Sequence, residues 1–239
     1  MVSDRRQTRL QAYEDLRRER PASFNNPSGA PIEIIFDADV QRQASDESAK
    51  LLAERGLPPD NGDVGVVYAD QYIRLVKDAV RFASGRLGTY IRIMAASDGV
   101  PAVVVPILSD GRLALVHHFR HSSREWHWEF PRGFAEPGAS GETTARAELA
   151  EEVGLSATEV TLIGWLDEDS DSKVGVYLAR ADVPEDGRRL QGTDLDEAID
   201  AIRLVTATEL IQLVRDGGIV DSFTLSAIAF ALISGYLGT

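Results

Sequence analysis

The chain contains no cysteine, so neither disulfides nor thiolate metal sites are open to it. It also lacks any run of 18 or more apolar residues and any apolar stretch behind its first residues, Met-Val-Ser-Asp-Arg-Arg-Gln. These absences argue against a membrane span and a secretory leader, and the expectation is a soluble, cytoplasmic protein. Positive charge is scarce as well. Twenty-five lysines and arginines face 38 aspartates and glutamates, for a formal net charge of −13. Such a chain has no general excess of cations with which to displace counterions from a nucleic-acid backbone. An anionic substrate would need a local cationic patch or bridging metal ions. What the chain does have is length and apolar content: 239 residues, 44% hydrophobic, enough to bury a full core in one large domain or in a domain with an appended segment. No internal repeat or low-complexity tract is evident.

Residues 1–20 carry Leu10, Tyr13 and Leu16 among many charges, which predicts a short amphipathic helix closed by Pro21. A turn-rich connector, a strand over Ile32–Phe36 and a helix over 39–55 follow, and Gly56 to Gly62 breaks the chain again. No chemical motif occurs before residue 62. From Val64 the pattern becomes strand-like, with β-branched and aromatic residues in Val66–Tyr72, Leu75–Phe82 and Thr89–Met94. Val103–Leu108 and Leu113–His118 flank the turn Ser109-Asp110-Gly111, and later strands are expected at Val160–Leu166, Val174–Ala179 and Ala201–Val205. Thr208–Arg215 and Ser222–Tyr236 read as closing helices.

The densest chemistry lies in residues 133–155. Glu148, Glu151 and Glu152 stand at i, i+3 and i+4, so on an α-helix they point from consecutive turns towards one side and can converge on hard cations. Left unneutralised, like charges at this spacing cost a few tenths of a kcal/mol per pair. A helix start near Ala139 or Ser140 and a glycine stop at Gly154 bound the segment.

This segment resembles the Nudix box, G-x5-E-x7-R-E-U-x-E-E-x-G-U with U aliphatic. Gly133, Glu148, Leu149, Glu151, Glu152, Gly154 and Leu155 fall on box positions without insertion or deletion. Two positions depart: the first box glutamate is Ala139 and the arginine before the central glutamate is Ala147. In the family those two groups brace the loop against the helix, so their joint loss removes one interacting unit. Arg146 lies about a hundred degrees away round an α-helix and does not replace that geometry. Leu115 to His121 and Trp128 to Gly133 extend the likeness to the ADP-ribose pyrophosphatase branch of the family, across roughly residues 64–236.

The resemblance implies an α+β fold: an α/β/α sandwich with a mixed sheet, preceded by a small N-terminal antiparallel sheet. It divides the chain into an extension of unassigned role (1–63), a sheet region that in the branch forms a homodimer (64–98) and the hydrolase domain (99–239). The implied activity is hydrolysis of a nucleoside diphosphate derivative with Mg²⁺ or Mn²⁺, ADP-ribose giving AMP and ribose 5-phosphate. A nucleotide-sugar hydrolase and a noncatalytic sensor of an ADP-ribose-like nucleotide are the alternatives. Glu148 and Glu152 are expected to bind metal, with Glu151 bridging or holding a second ion and the Arg132 carbonyl adding a ligand. The general base falls to Glu168, with Asp169 or Glu151 as alternatives, and Arg120, Arg132 and Trp128 are the expected substrate contacts. Arg124 and Trp126 have ordinary surface and core readings. His117, His118, His121 and His127 cluster, yet adjacent residues of a strand face opposite ways, which disfavours a zinc site.

Overall fold

A computed structural model describes residues 2–184, 190–192 and 198–238, which form two compact units. The first comprises residues up to Ala96 together with Asp169–Asp171. Helix α1 (Val2–Glu19), strand β1 (Ile32–Ile34), helix α2 (Ala38–Glu54) and strands β2 (Gly65–Ala69), β3 (Ile73–Phe82) and β4 (Leu87–Ala95) make it up. All strand pairs are antiparallel. β4 runs along the whole of β3, while β1 and β2 share its other edge, pairing at 80–82 and 74–77. Residues 1–63 thus fold together with 64–96, lending the sheet a strand and covering it with helices. Tyr13, Leu16, Phe24, Val76 and Met94 form a core there. Asp78 is buried in this unit and is satisfied by the Tyr13 hydroxyl at 2.6 Å and by the Arg92 guanidinium. Burial and the neighbouring Asp78 charge both push the Tyr13 hydroxyl far above its ordinary range.

The second unit holds Ser97–Glu168 and the residues from Ser172 onward. Its strands are β5 (Ala102–Leu108), β6 (Leu113–Arg120), β7 (Glu125–Glu129), β8 (Arg132–Gly133), β9 (Ala157–Asp167), β10 (Lys173–Ala181) and β11 (Ile199–Val205). They form a seven-stranded mixed sheet in the order β11-β6-β5-β10-β9, with β7 on β6 and β8 on β5; β5 and β10 run parallel. Helix α3 (Gly141–Glu148) covers one face, and α4 (Ala207–Arg215) and α5 (Ser222–Ile233) cover the other.

Both faces being covered explains why β5 is apolar throughout. Its alternate residues divide: Val103, Val105 and Ile107 pack with Leu210, Ala227, Ile228 and Ala231, whereas Ala102, Val104 and Leu108 pack with Ala145, Leu149 and Val153. This is an α/β/α sandwich, and the α3 face carries the unusual charges.

Candidate active site

Ser140 caps α3, its hydroxyl accepting the Thr143 N–H at 3.2 Å. The helix does not stay α. From Leu149 to Val153 it widens into a π turn, and Gly154 ends it at φ +75°, a conformation that suits a residue without Cβ. At roughly 4.4 residues per π turn, Glu152 lies about 30° round the axis from Glu148, while Glu151 swings about 115° away instead of the 60° of an α-helix. Glu148 and Glu152 are accordingly buried and Glu151 is exposed. The expected convergence of three carboxylates becomes a pair, and among the described residues no three acidic or histidine side chains come close enough together to hold an ion.

The pair sits against β8. The Glu148 carboxylate lies over the α-carbon of Gly133, where a Cβ would meet its oxygens, so any larger residue there would displace that carboxylate. Glu152, 1% exposed, accepts the backbone N–H of Arg132 at 3.3 Å. β8 is held in place by pairing with Ala102 and Val103 of β5. One short strand therefore touches both carboxylates.

Two arginines stand beside them. Arg120, at the end of β6, grips the buried Glu129 at the end of β7 with its Nε, 2.9 and 3.1 Å from the two carboxylate oxygens, and with a further bond from Nη2. Arg132 donates from Nη2 to Asp221 at 3.3 Å, lies 4.3 Å above the Phe223 ring and brings Nε to 3.6 Å from Glu129. Burial alone would lower the Arg120 pKa, but the bonds and charge of Glu129, with the charges of Glu152 and Asp221, outweigh it and raise it. Glu129 and Asp221 pair with these two guanidiniums, and Glu148 and Glu152 lie buried beside Arg132 and Gly133. Two buried carboxylates packed against a glycine, a donor set made only of oxygen, fit one divalent cation such as Mg²⁺, which takes few protein ligands and retains water.

Other expected residues take varied places. Glu168 follows β9 directly. It keeps contact with solvent, yet partial burial raises its carboxyl pKa; the Arg132 charge opposes the rise and the Asp221 charge adds to it. Asp169 adopts φ +57° and groups with the first unit. Trp128 is half-buried, stacked 4.6 Å from His117, which also stacks on Trp126 and bonds Asp200 at 2.7 Å. His121 pairs with Arg124 and His127 with Ser123. His118, 8% exposed, shares the α3 face with Arg120; burial and the charges of Arg120 and Arg132 bring its pKa down to about 4. Ala147 is exposed, and Arg146 pairs with Glu142 and donates to the Ala157 carbonyl, so it does not stand in for the absent brace. A separate cleft of about 370 Å³, lined by Asp98, Gly99, Val100, Trp165, Ser172 and Lys173, opens next to the Glu136–Gly138 loop, and the carboxylate pair does not line it.

Sequence reasoning passed over Glu129 and Asp221. Asp221 was legible as a helix cap ahead of an apolar run, but nothing in the chain ties it to an arginine 89 positions earlier.

Comparison with known proteins gives the family and the fold. The NUDIX domain family matches residues 99–222. An ADP-ribose pyrophosphatase of Bacillus subtilis is 29% identical over 172 residues, covering 69% of this chain and 87% of that protein. One of Mycobacterium tuberculosis is 31% identical over 158 residues, covering 64% and 73%. A crystal structure of an ADP compounds hydrolase superposes with a TM-score of 0.58 at 22% identity over 73% of this chain and 93% of that one, a likeness of fold.

Proposed function

The chain belongs to the Nudix family and is a Nudix pyrophosphohydrolase, and from that premise we propose that it hydrolyses ADP-ribose in the presence of Mg²⁺ or Mn²⁺. Water adds to one phosphorus, the P–O–P bridge breaks, and AMP and ribose 5-phosphate leave. The observation that carries the reading is the buried Glu148–Glu152 pair against Arg132 and Gly133, with two guanidiniums beside it. The names of the two bacterial relatives supply the substrate.

Glu148, Glu152 and the Arg132 carbonyl would hold the ion, and Glu151, exposed on the same turn, would serve a second ion or the attacking water. A bound divalent ion neutralises phosphate oxygens and makes water a better nucleophile at neutral pH. Arg120 and Arg132 present guanidinium forks suited to phosphate oxygens. Trp128 packs on His117 and the α4–α5 core, so its proposed contact with the remainder of the substrate rests on the family resemblance and not on the carboxylate face. Glu168 takes the proton from water, its raised pKa bringing it towards the range where a general base works best.

The first unit is proposed to join two copies. Tyr68, Leu75 and Ile93 occupy paired positions across β2, β3 and β4 with Ile91 beside them, and Tyr68, Ile91 and Ile93 are each about half exposed, an apolar strip suited to burial against a second copy. No helix among the described residues is long and apolar enough to cross a membrane, and a cytoplasmic setting is part of the proposal.

The test is a panel of ADP-ribose, other ADP compounds and nucleotide sugars incubated with Mg²⁺ or Mn²⁺, with the products identified. AMP and ribose 5-phosphate from ADP-ribose, at the highest kcat/KM of the panel, is the expected result. Preference for a nucleotide sugar reassigns the substrate, and tight ADP-ribose binding without any product reassigns the site as a sensor.

A further inference from the structure

Three side chains at the start of α5 grip the segment that leads into β8. The Thr224 hydroxyl, fully buried, accepts the Phe130 N–H at 3.0 Å and donates to Asp221 Oδ2 at 2.7 Å. The Phe223 ring lies beneath the Arg132 guanidinium carbon, 4.3 Å from it, and Asp221 Oδ1 takes a hydrogen bond from Arg132 Nη2. Asp221 thus does two things with two oxygens. Oδ2 caps α5, accepting the Thr224 N–H at 2.8 Å, a task that asparagine or serine performs about as well. Only the contact with Arg132 calls for a charge.

We propose that Asp221 is a positioning residue for substrate binding: from the first turn of α5 it fixes the Arg132 guanidinium so that the donors left over meet the phosphates of the substrate. The assignment rests on the ADP-ribose reading of the site. With Nη2 tied to Asp221 and one face covered by Phe223, the plane of the fork is set before any ligand arrives. Its Nε is buried, 3.6 Å from Glu129, so the donors left over for a ligand are those of the two Nη groups. A fork held in advance loses less conformational freedom on binding than a free arginine, so the gain is expected in affinity.

Asp221→Asn keeps the cap and removes the charge. On the alkaline plateau of the rate profile it should leave the melting temperature and kcat nearly unchanged and raise KM for ADP-ribose roughly tenfold, or about 1.4 kcal/mol. Asp221→Ser, which also caps, should do the same and serves if the asparagine variant folds poorly. In an Arg132→Gln background neither change should raise KM further, since the arginine through which they act is gone. Calorimetric binding of ADP with Mg²⁺ gives the same comparison without turnover. Should wild type bind ADP but release no AMP from ADP-ribose, the substrate reading falls and the positioning role is judged on ADP affinity alone. Unchanged KM and ADP affinity in both Asp221 variants overturns the role, as does an equal loss with and without Arg132; so does a wild type that neither turns over ADP-ribose nor binds ADP.

Discussion

Glu152→Gln should have opposite effects on the metal-free protein and on metal binding. The side chain is 1% exposed and its Oε2 accepts the Arg132 N–H, and an amide oxygen can accept that bond in the same shape. The lost charge is what matters. Glu148 and Glu152 are like-charged and buried one turn apart, so removing one charge relieves repulsion between them; the metal-free protein should melt no lower than wild type, and a few degrees higher is the expected scale for about 1 kcal/mol. For the ion the sign reverses. A divalent cation and a carboxylate about 4 Å apart attract by roughly 8 kcal/mol at an effective dielectric near 20, twice the figure for unit charges. Desolvation of both cancels most of that, and a net loss of about 1.5–3 kcal/mol, the range for hydrogen bonds to charged groups, is expected. This corresponds to roughly 10- to 100-fold weaker Mn²⁺ binding. Calorimetric titration with Mn²⁺ and melting in chelator measure the two sides. Unchanged Mn²⁺ affinity in both Glu148→Gln and Glu152→Gln removes the metal assignment, and a marked fall in metal-free stability refutes the charge argument.

Glu168→Gln should slow ADP-ribose hydrolysis by about a hundredfold or more with little change in affinity. Because the Glu168 pKa is raised and the base must be ionised, the acid limb of kcat/KM should lie above the ordinary glutamate range and disappear in the variant; an unaffected rate moves the base to Glu151 or Asp169. His118, with its pKa at about 4 in the fold against 6.5 free, stays neutral when folded but protonates when unfolded, so stability should fall as pH drops from about 6.5 towards 4. Urea melts of wild type and His118→Gln across that window should diverge, and parallel curves would show that His118 titrates normally. Ala139→Glu with Ala147→Arg should do better than the sum of the single changes, with a coupling of about 0.5–3 kcal/mol in melting or turnover; strict additivity would mean that the loop and helix no longer meet as the family's brace requires.

The sequence by itself determined most of the elements, because their signals are local. Continuous apolar runs either side of a Ser-Asp-Gly turn marked β5 and β6, the acidic run and its glycine marked α3 and its end, and the spacing of Glu148 and Glu152 kept both on one side under either helical winding. What the chain could not announce was the π turn. An extra residue in a helical turn depends on how Leu149 and Val153 pack against the sheet, and it decides that Glu151 leaves the pair. Nor could the chain announce which charges meet. Glu129 follows Arg120 by nine residues and Asp221 follows Arg132 by 89, and only the order of strands and the docking of α5 bring their atoms within a few ångströms. Periodicity reports which face of an element is buried; it does not report which partner lies across that face, because the partner is chosen by packing between segments distant in the chain.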